Sequence, residues 1–294
     1  MRQTTSATAE GVAAWRAIES EKPAGERICY DPYARRLTGA LFYHLIKLFA
    51  GYGERYTHGA LTFIVCRARY FDDYIHERLK AGTAQLVILG AGLDSRAYRE
   101  DLVPGAVTTF EVDHPATQAS KIERVKKVFG RIPARVVYVP VDFSRETLDR
   151  LLGCGFDPSL RTLFVWEGVT PYLDAAAVDS TLGWVRANAT PGSAIIFDYL
   201  CGYRTAAQTR RNRLYALVSR VTGERREFGI EKARIEDFLA RRGFARVVNA
   251  DAEQLRRLYC TGPNRNRTVA ANYAIVHAET EVDESGRIRD SHPI

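Results

Sequence analysis

Apolar and polar positions along the chain fall into two regimes. From about Thr8 to Lys80 the pattern is helical, with Phe63, Val65, Ala68, Phe71, Ile75 and Leu79 recurring mostly at three- and four-residue steps. Beyond it, short apolar runs alternate with amphipathic stretches. This predicts strands near 85–90, 107–112, 136–141, 162–167 and 193–199, with helices between most of them. Strands so far apart in sequence need crossover connections, so an α/β class with a mostly parallel sheet is expected, its ligands at the carboxyl ends of the strands.

After Tyr199 the order changes. Residues from about 202 to 230 include a polar, Arg-rich helical insertion, placed to act as a lid, before a helix beginning near Glu231. FARVVNAD and ANYAIVHAET, joined by a helix near 251–259 and the loop TGPNRNRT, are expected to pair as the terminal hairpin of a seven-stranded sheet. Three regions result: an N-terminal helical extension (1–80), a sheet domain carrying the insertion (81–280), and a charged tail (281–294) expected to fray.

The strand near 85–90 opens the most informative segment, QLVILGAGLDSR. Gly90-Ala91-Gly92 follows the apolar run, and an acid, Asp113, closes the next strand about 20 residues later. Glycine permits a tight turn and close approach to a ligand, and an acid at the next strand end can accept both hydroxyls of a ribose. An ordinary strand-to-helix turn also produces two glycines one residue apart. Ser95 stands where a dinucleotide fingerprint has its third glycine, and Asp94 adds a negative charge, so a pyrophosphate is poorly served; a cationic or zwitterionic nucleoside suits the loop better.

Composition narrows the classes. The chain has 294 residues, 46% apolar, which is ample for a buried core, and its net charge of +7 is spread over scattered pairs such as Arg225-Arg226 and Arg241-Arg242. Scattered pairs read as solvated helix faces, so no nucleic-acid partner is expected. No stretch of about 18 apolar residues is present and the N-terminus lacks the apolar centre of a signal peptide, so no membrane partner and a cytoplasmic location are expected. Cys29, Cys66, Cys154, Cys201 and Cys260 sit far apart without a C-x-x-C pair and read as reduced and mostly buried, and no metal site is expected.

Taken together, VILGAGLDSRAYR, FEVDHPATQASK, YVPVDF and FVWEGVTPYL resemble the leucine carboxyl methyltransferase family of S-adenosylmethionine-dependent methyltransferases, and most closely its bacterial branch that includes polyketide O-methyltransferases. The resemblance spans roughly residues 8 to 280. It implies a Rossmann-like class I methyltransferase with a seven-stranded sheet, the last strand antiparallel, added N-terminal helices, and methylation of an oxygen, often a carboxylate. S-adenosyl-L-methionine is the implied cofactor and S-adenosyl-L-homocysteine its product.

By position, the resemblance assigns Gly90, Ala91 and Gly92 to the cofactor loop, Asp113 to the ribose hydroxyls, and Asp142 with Phe143 to the adenine. A carboxylate at a third strand end can accept the adenine amino hydrogens, and Asp142 can equally cap a helix starting near Ser144. Arg67 matches the arginine holding the cofactor carboxylate, for which a guanidinium offers a bidentate fork; Arg69 is expected instead in a surface salt bridge with Asp72 or Asp73. Arg27 is a second candidate clamp, and Glu167 is placed near the methionine part, where it can receive the α-ammonium. The loop reads GLDSR where the branch has GLDTR, and TGERREFGI keeps only part of the expected lid pattern.

A carboxylate acceptor is ionised at neutral pH and needs no general base, whereas a phenol does. No catalytic His-Asp pair stands out: His44, His58 and His114 are lone histidines. Tyr172 and Tyr199 are the side chains expected near the acceptor, taken to be a small acidic molecule, and Arg204, Arg210 and Arg211 could attract it. Two other functions fit the loop: a nicotinamide dehydrogenase, and a cofactor-binding protein that does not transfer methyl groups.

Overall fold

The computed structural model describes residues 7–50, 57–143, 145–201 and 227–280. The expected insertion at 202–230 therefore lies mostly outside the described residues, as do Arg204, Arg210, Arg211 and the tail.

Among the described residues, four helices precede the sheet: α1 (Ala7–Ser20), α2 (Ala34–Leu37), α3 (Ala40–Leu48) and α4 (Ala60–Lys80). The spacing that predicts a helix through Phe63, Val65, Ala68, Phe71 and Ile75 puts these side chains in one buried stripe of α4. Then follow β1 (Gln85–Leu89), β2 (Thr108–Asp113), α5 (Pro115–Phe129), β3 (Val136–Pro140), α6 (Arg150–Gly153), β4 (Thr162–Trp166), α7 (Ala175–Asn188) and β5 (Ala194–Leu200). The chain closes with α8 (Ile235–Ala240), β6 (Phe244–Ala250), α9 (Ala252–Tyr259) and β7 (Tyr273–Thr280). The helix expected near Ser144 begins only at Arg150, and the one expected near Glu231 starts as a 3-10 turn and becomes α-helical at Ile235. Asp251, extended and accepting from Gln254 N, starts α9 where the sequence places it.

The seven strands of the described residues form one sheet in the order β3-β2-β1-β4-β5-β7-β6. The first five run parallel to one another, and β7 runs antiparallel to both β5 and β6. Every residue of β1, β4 and β5 is buried, as expected where a parallel strand is covered on both faces. One face packs on α4 through Leu86, Ile88, Leu163, Val165 and Ile196; the other carries Val87, Phe110, Phe164, Trp166, Phe197 and Tyr199. The chain proceeds outward from β1 to β3 and then returns to β4 on the other side of β1. That reversal parts the connections leaving β1 and β4 and opens a crevice at their carboxyl ends. Among the described residues no helix is long and apolar enough to cross a membrane, and no group of metal-ligating side chains occurs.

Candidate active site

The crevice holds a cavity of about 390 Å³, within the usual range for a small-molecule site. Four strand ends contribute to it: Gly90 to Gly92 after β1, Asp113 at the end of β2, Asp142 and Phe143 after β3, and Glu167 to Val169 after β4. Helix α1 closes one side with Val12 and Arg16, while Tyr172, Leu173 and Glu227 line another.

The glycine loop is tied to the neighbouring strand. The Gly90 and Ala91 N–H groups both donate to the Val112 carbonyl, at 2.7 and 3.0 Å. Gly90 has φ +67°, and a Cβ there would stand 2.3 Å from Val169 Cγ2. Glycine is thus required here by a side chain of the β4 loop as well as by the turn. Asp113 accepts the Gly92 N–H at 2.5 Å and the His114 N–H at 2.6 Å. Burial raises its pKa, and these two N–H donors oppose the rise.

At the other end, charges alternate along a buried chain. Arg67, on α4, donates to Glu167 at 2.9 Å through Nε and to Asp198 at 2.6 Å through Nη1. Arg96, in the 3-10 turn Arg96–Tyr98, donates through Nη1 to Asp94 at 2.7 Å and to the second oxygen of Glu167 at 2.5 Å, and through Nε to Asp72 at 2.6 Å. Burial opposes the charge on Glu167, but the guanidinium groups of Arg96, Arg67 and Arg16 outweigh it and hold the carboxyl below its ordinary range. Asp94 is held down in the same way, at about 2, by Arg96, Arg16 and Lys121 against its burial. Asp198 goes the other way: burial pushes it up more than Arg67 and the Gly168 N–H bring it down.

The crevice gathers Arg67, Gly90, Ala91, Gly92, Asp113, Asp142, Phe143, Glu167 and Tyr172 from the residues singled out in the sequence. Two others lie elsewhere. Arg27 stacks its guanidinium over the Tyr30 ring, 3.8 Å from the centroid, and is absent from the lining. Arg16 lines the cavity in its stead, held by Asp31 at 3.0 Å and the Leu93 carbonyl at 2.8 Å. Tyr199 is fully buried on the opposite face of the sheet and donates to Asn249 Oδ1 at 3.1 Å. Side chains alternate along a strand, so when Tyr199 points away its neighbour Asp198 points toward Arg67. An acid inside the apolar run IIFDYL was the available signal for Asp198. Arg69 forms the expected surface pair with Asp73, at 2.8 Å.

The donor set fits a zwitterionic nucleoside with a cationic centre. Carboxylates stand at the second and third strand ends, an aromatic ring adjoins the latter, and arginines lie near the fourth.

Residues 9–186 match the family model for leucine carboxyl methyltransferase. A Bacillus subtilis protein with the provisional name of an S-adenosyl-L-methionine-dependent methyltransferase is 30% identical over 217 residues, 73% of this chain and 71% of that one. A Mycobacterium marinum protein, provisionally named likewise, is 30% identical over 285 residues, 89% of this chain and 88% of its own. Among solved structures, one from Thermobifida fusca, provisionally titled a methyltransferase, superposes with a TM-score of 0.57 at 15% identity, covering 95% of this chain and 96% of that one, a likeness of fold. With this sheet order, the match to the family model and these relatives, the chain belongs to the leucine carboxyl methyltransferase family of S-adenosylmethionine-dependent methyltransferases.

Proposed function

We propose that the protein methylates an oxygen of a small acidic natural product, a carboxylate in preference to a phenol. Asp113 is assigned to the ribose hydroxyls of the cofactor and Asp142 with Phe143 to the adenine. Arg67 and Arg16 are assigned to the carboxylate of the methionine part, with Glu167 next to its ammonium. Bound S-adenosylmethionine supplies a methyl group on a sulfonium, for an in-line displacement by the acceptor oxygen. The protein's part is to hold the acceptor close and aligned and to keep water out. Tyr172, which lines the cavity, is assigned to position the acceptor.

The observation that favours a carboxylate is how three titratable groups of the cavity, Glu167, Asp94 and His114, are already engaged. Glu167 and Asp94 are paired with guanidinium groups and held below the ordinary carboxylate range, which makes them poor bases. His114, the histidine in the lining, accepts the Ala116 N–H on Nδ1 at 3.3 Å. A phenol would need a base to remove its proton; a carboxylate has none to lose at neutral pH. Membership of the family displaces the nicotinamide alternative drawn from the glycine loop.

Incubation with methyl-labelled cofactor and a panel of carboxylic acids and phenols tests the proposal. Label recovered in base-labile methyl esters is the expected result. Label found on phenols alone would overturn the carboxylate assignment, and cofactor binding without transfer to any acceptor would favour the non-transferring alternative.

A further inference from the structure

Behind the glycine loop lies a charged pair that does not line the cavity. Lys121 Nζ, from α5, is 2.8 Å from Glu111 Oε1 on β2, and the two side chains are 2% and 1% exposed. Tyr98 Oη donates to Glu111 Oε2 at 3.1 Å and is hydrogen-bonded to Tyr138 Oη at 2.7 Å, while the Tyr98 ring lies 5.6 Å from Lys121 Nζ. Lys121, Tyr98 and Tyr138, with the more distant Asp94, are the titratable groups that face Glu111. Apolar groups of matching size in place of such a pair commonly leave stability unchanged or raise it, so the pair calls for a reason other than stability.

That reason is in the loop. Lys121 Nζ also donates to the Ala91 carbonyl at 3.3 Å, which accepts the Asp94 N–H at 2.7 Å as well. The N–H of the same peptide unit is that of Gly92, and it donates to Asp113 Oδ2 at 2.5 Å. A trans peptide is planar, with its C=O and N–H pointing in opposite directions, so a cation fixed on the carbonyl side fixes the direction of the N–H on the other. We infer that Lys121, with Glu111 as its counter-ion, is a positioning residue that orients Asp113 through the Ala91–Gly92 peptide plane. Cofactor affinity then depends on a buried pair the cofactor does not touch. This rests on the assignment of Asp113 to the cofactor site.

The test is calorimetric titration with S-adenosylhomocysteine, with thermal unfolding alongside, of Asp113→Ala, Lys121→Met, Lys121→Arg and the double variant Glu111→Gln/Lys121→Met. Asp113→Ala and Lys121→Met should each weaken binding about tenfold or more, the worth of a hydrogen bond to a charged group. Lys121→Arg, which keeps a cation, should recover part of the loss. The double variant should melt at or near the wild-type temperature and still bind as weakly as Lys121→Met; it decides the matter if the single variant, with Glu111 unpaired, does not fold. Binding within twofold of wild type in the double variant, while Asp113→Ala loses tenfold, would overturn the positioning role. Unchanged binding in Asp113→Ala would instead overturn the site assignment beneath it.

Discussion

Gly90→Ala isolates what the glycine loop requires of its first residue. At φ +67° an L-residue costs about 1–2 kcal/mol relative to glycine. The added Cβ would meet Val169 Cγ2 at 2.3 Å, far inside the about 3.5–4.0 Å of an ordinary carbon contact. Overpacking of that kind costs roughly 1–3 kcal/mol, so the single variant should lose about 2–5 kcal/mol in all. Val169→Ala removes the obstructing methyl and not the backbone strain. In a double-mutant cycle by urea denaturation, the pair should therefore recover roughly 1–3 kcal/mol of the loss and leave about 1–2 kcal/mol in place. Effects that add to within about 0.5 kcal/mol would refute the packing account, because residues in contact must couple. Titration of the same variants with S-adenosylhomocysteine then separates blocked binding from lost stability.

The remaining predictions concern the charges and the two tyrosines. Asp198→Asn leaves Arg67 Nη1 buried beside a neutral partner and should cost about 3–5 kcal/mol in urea unfolding; a loss under about 1 kcal/mol would mean that Arg67 finds another partner. Asp94, held at about 2 against an ordinary 3.8, contributes stability that is complete above its unfolded pKa and is lost as pH falls from about 4 to 2. The Asp94→Asn variant should lack that acid limb, roughly 2–3 kcal/mol, in denaturation curves taken across that range. Glu111 has the opposite sign: raised from 4.5 to about 7 by burial that Lys121 only partly offsets, it costs stability as pH rises through that interval. Stability of Glu111→Gln should be flatter between pH 5 and about 7, measured the same way. Tyr199→Phe should lose about 1 kcal/mol of stability, with transfer unchanged, since its hydroxyl serves Asn249; Tyr172→Ala should instead lower kcat/KM for the acceptor while binding of the cofactor product holds. Steady-state assays of the pair separate these outcomes.

The strand runs, the glycine loop and the acids closing β2 and β3 were legible in the sequence for local reasons. Strand burial appears as an unbroken apolar run, and a turn that admits only glycine shows as glycine. Gly90, Asp113 and Asp142 each sit at a strand end, and in a parallel sheet the strand end alone places them beside one another. The antiparallel terminal hairpin followed in the same way from two β-rich runs near the end of the chain.

Other placements depended on distances no local pattern encodes. Arg27 and Arg16 are both basic residues of the N-terminal region; only the folding of α1 against the glycine loop, with Arg16 on the Leu93 carbonyl, decided which of them reached the cavity. The choice between Tyr199 and Asp198 turned on which face of β5 meets Arg67, and strand periodicity gives the alternation without its phase. Arg67 takes partners 100 and 131 residues away, and Lys121 reaches a carbonyl 30 residues before it. Thus the sequence by itself determined the element types, the class of sheet and the residues at its strand ends, because backbone geometry and burial period act over a few neighbours. Tertiary structure alone decided which charges are paired and which line the cavity, because a buried charge is satisfied by whatever packing brings within about 3 Å of it.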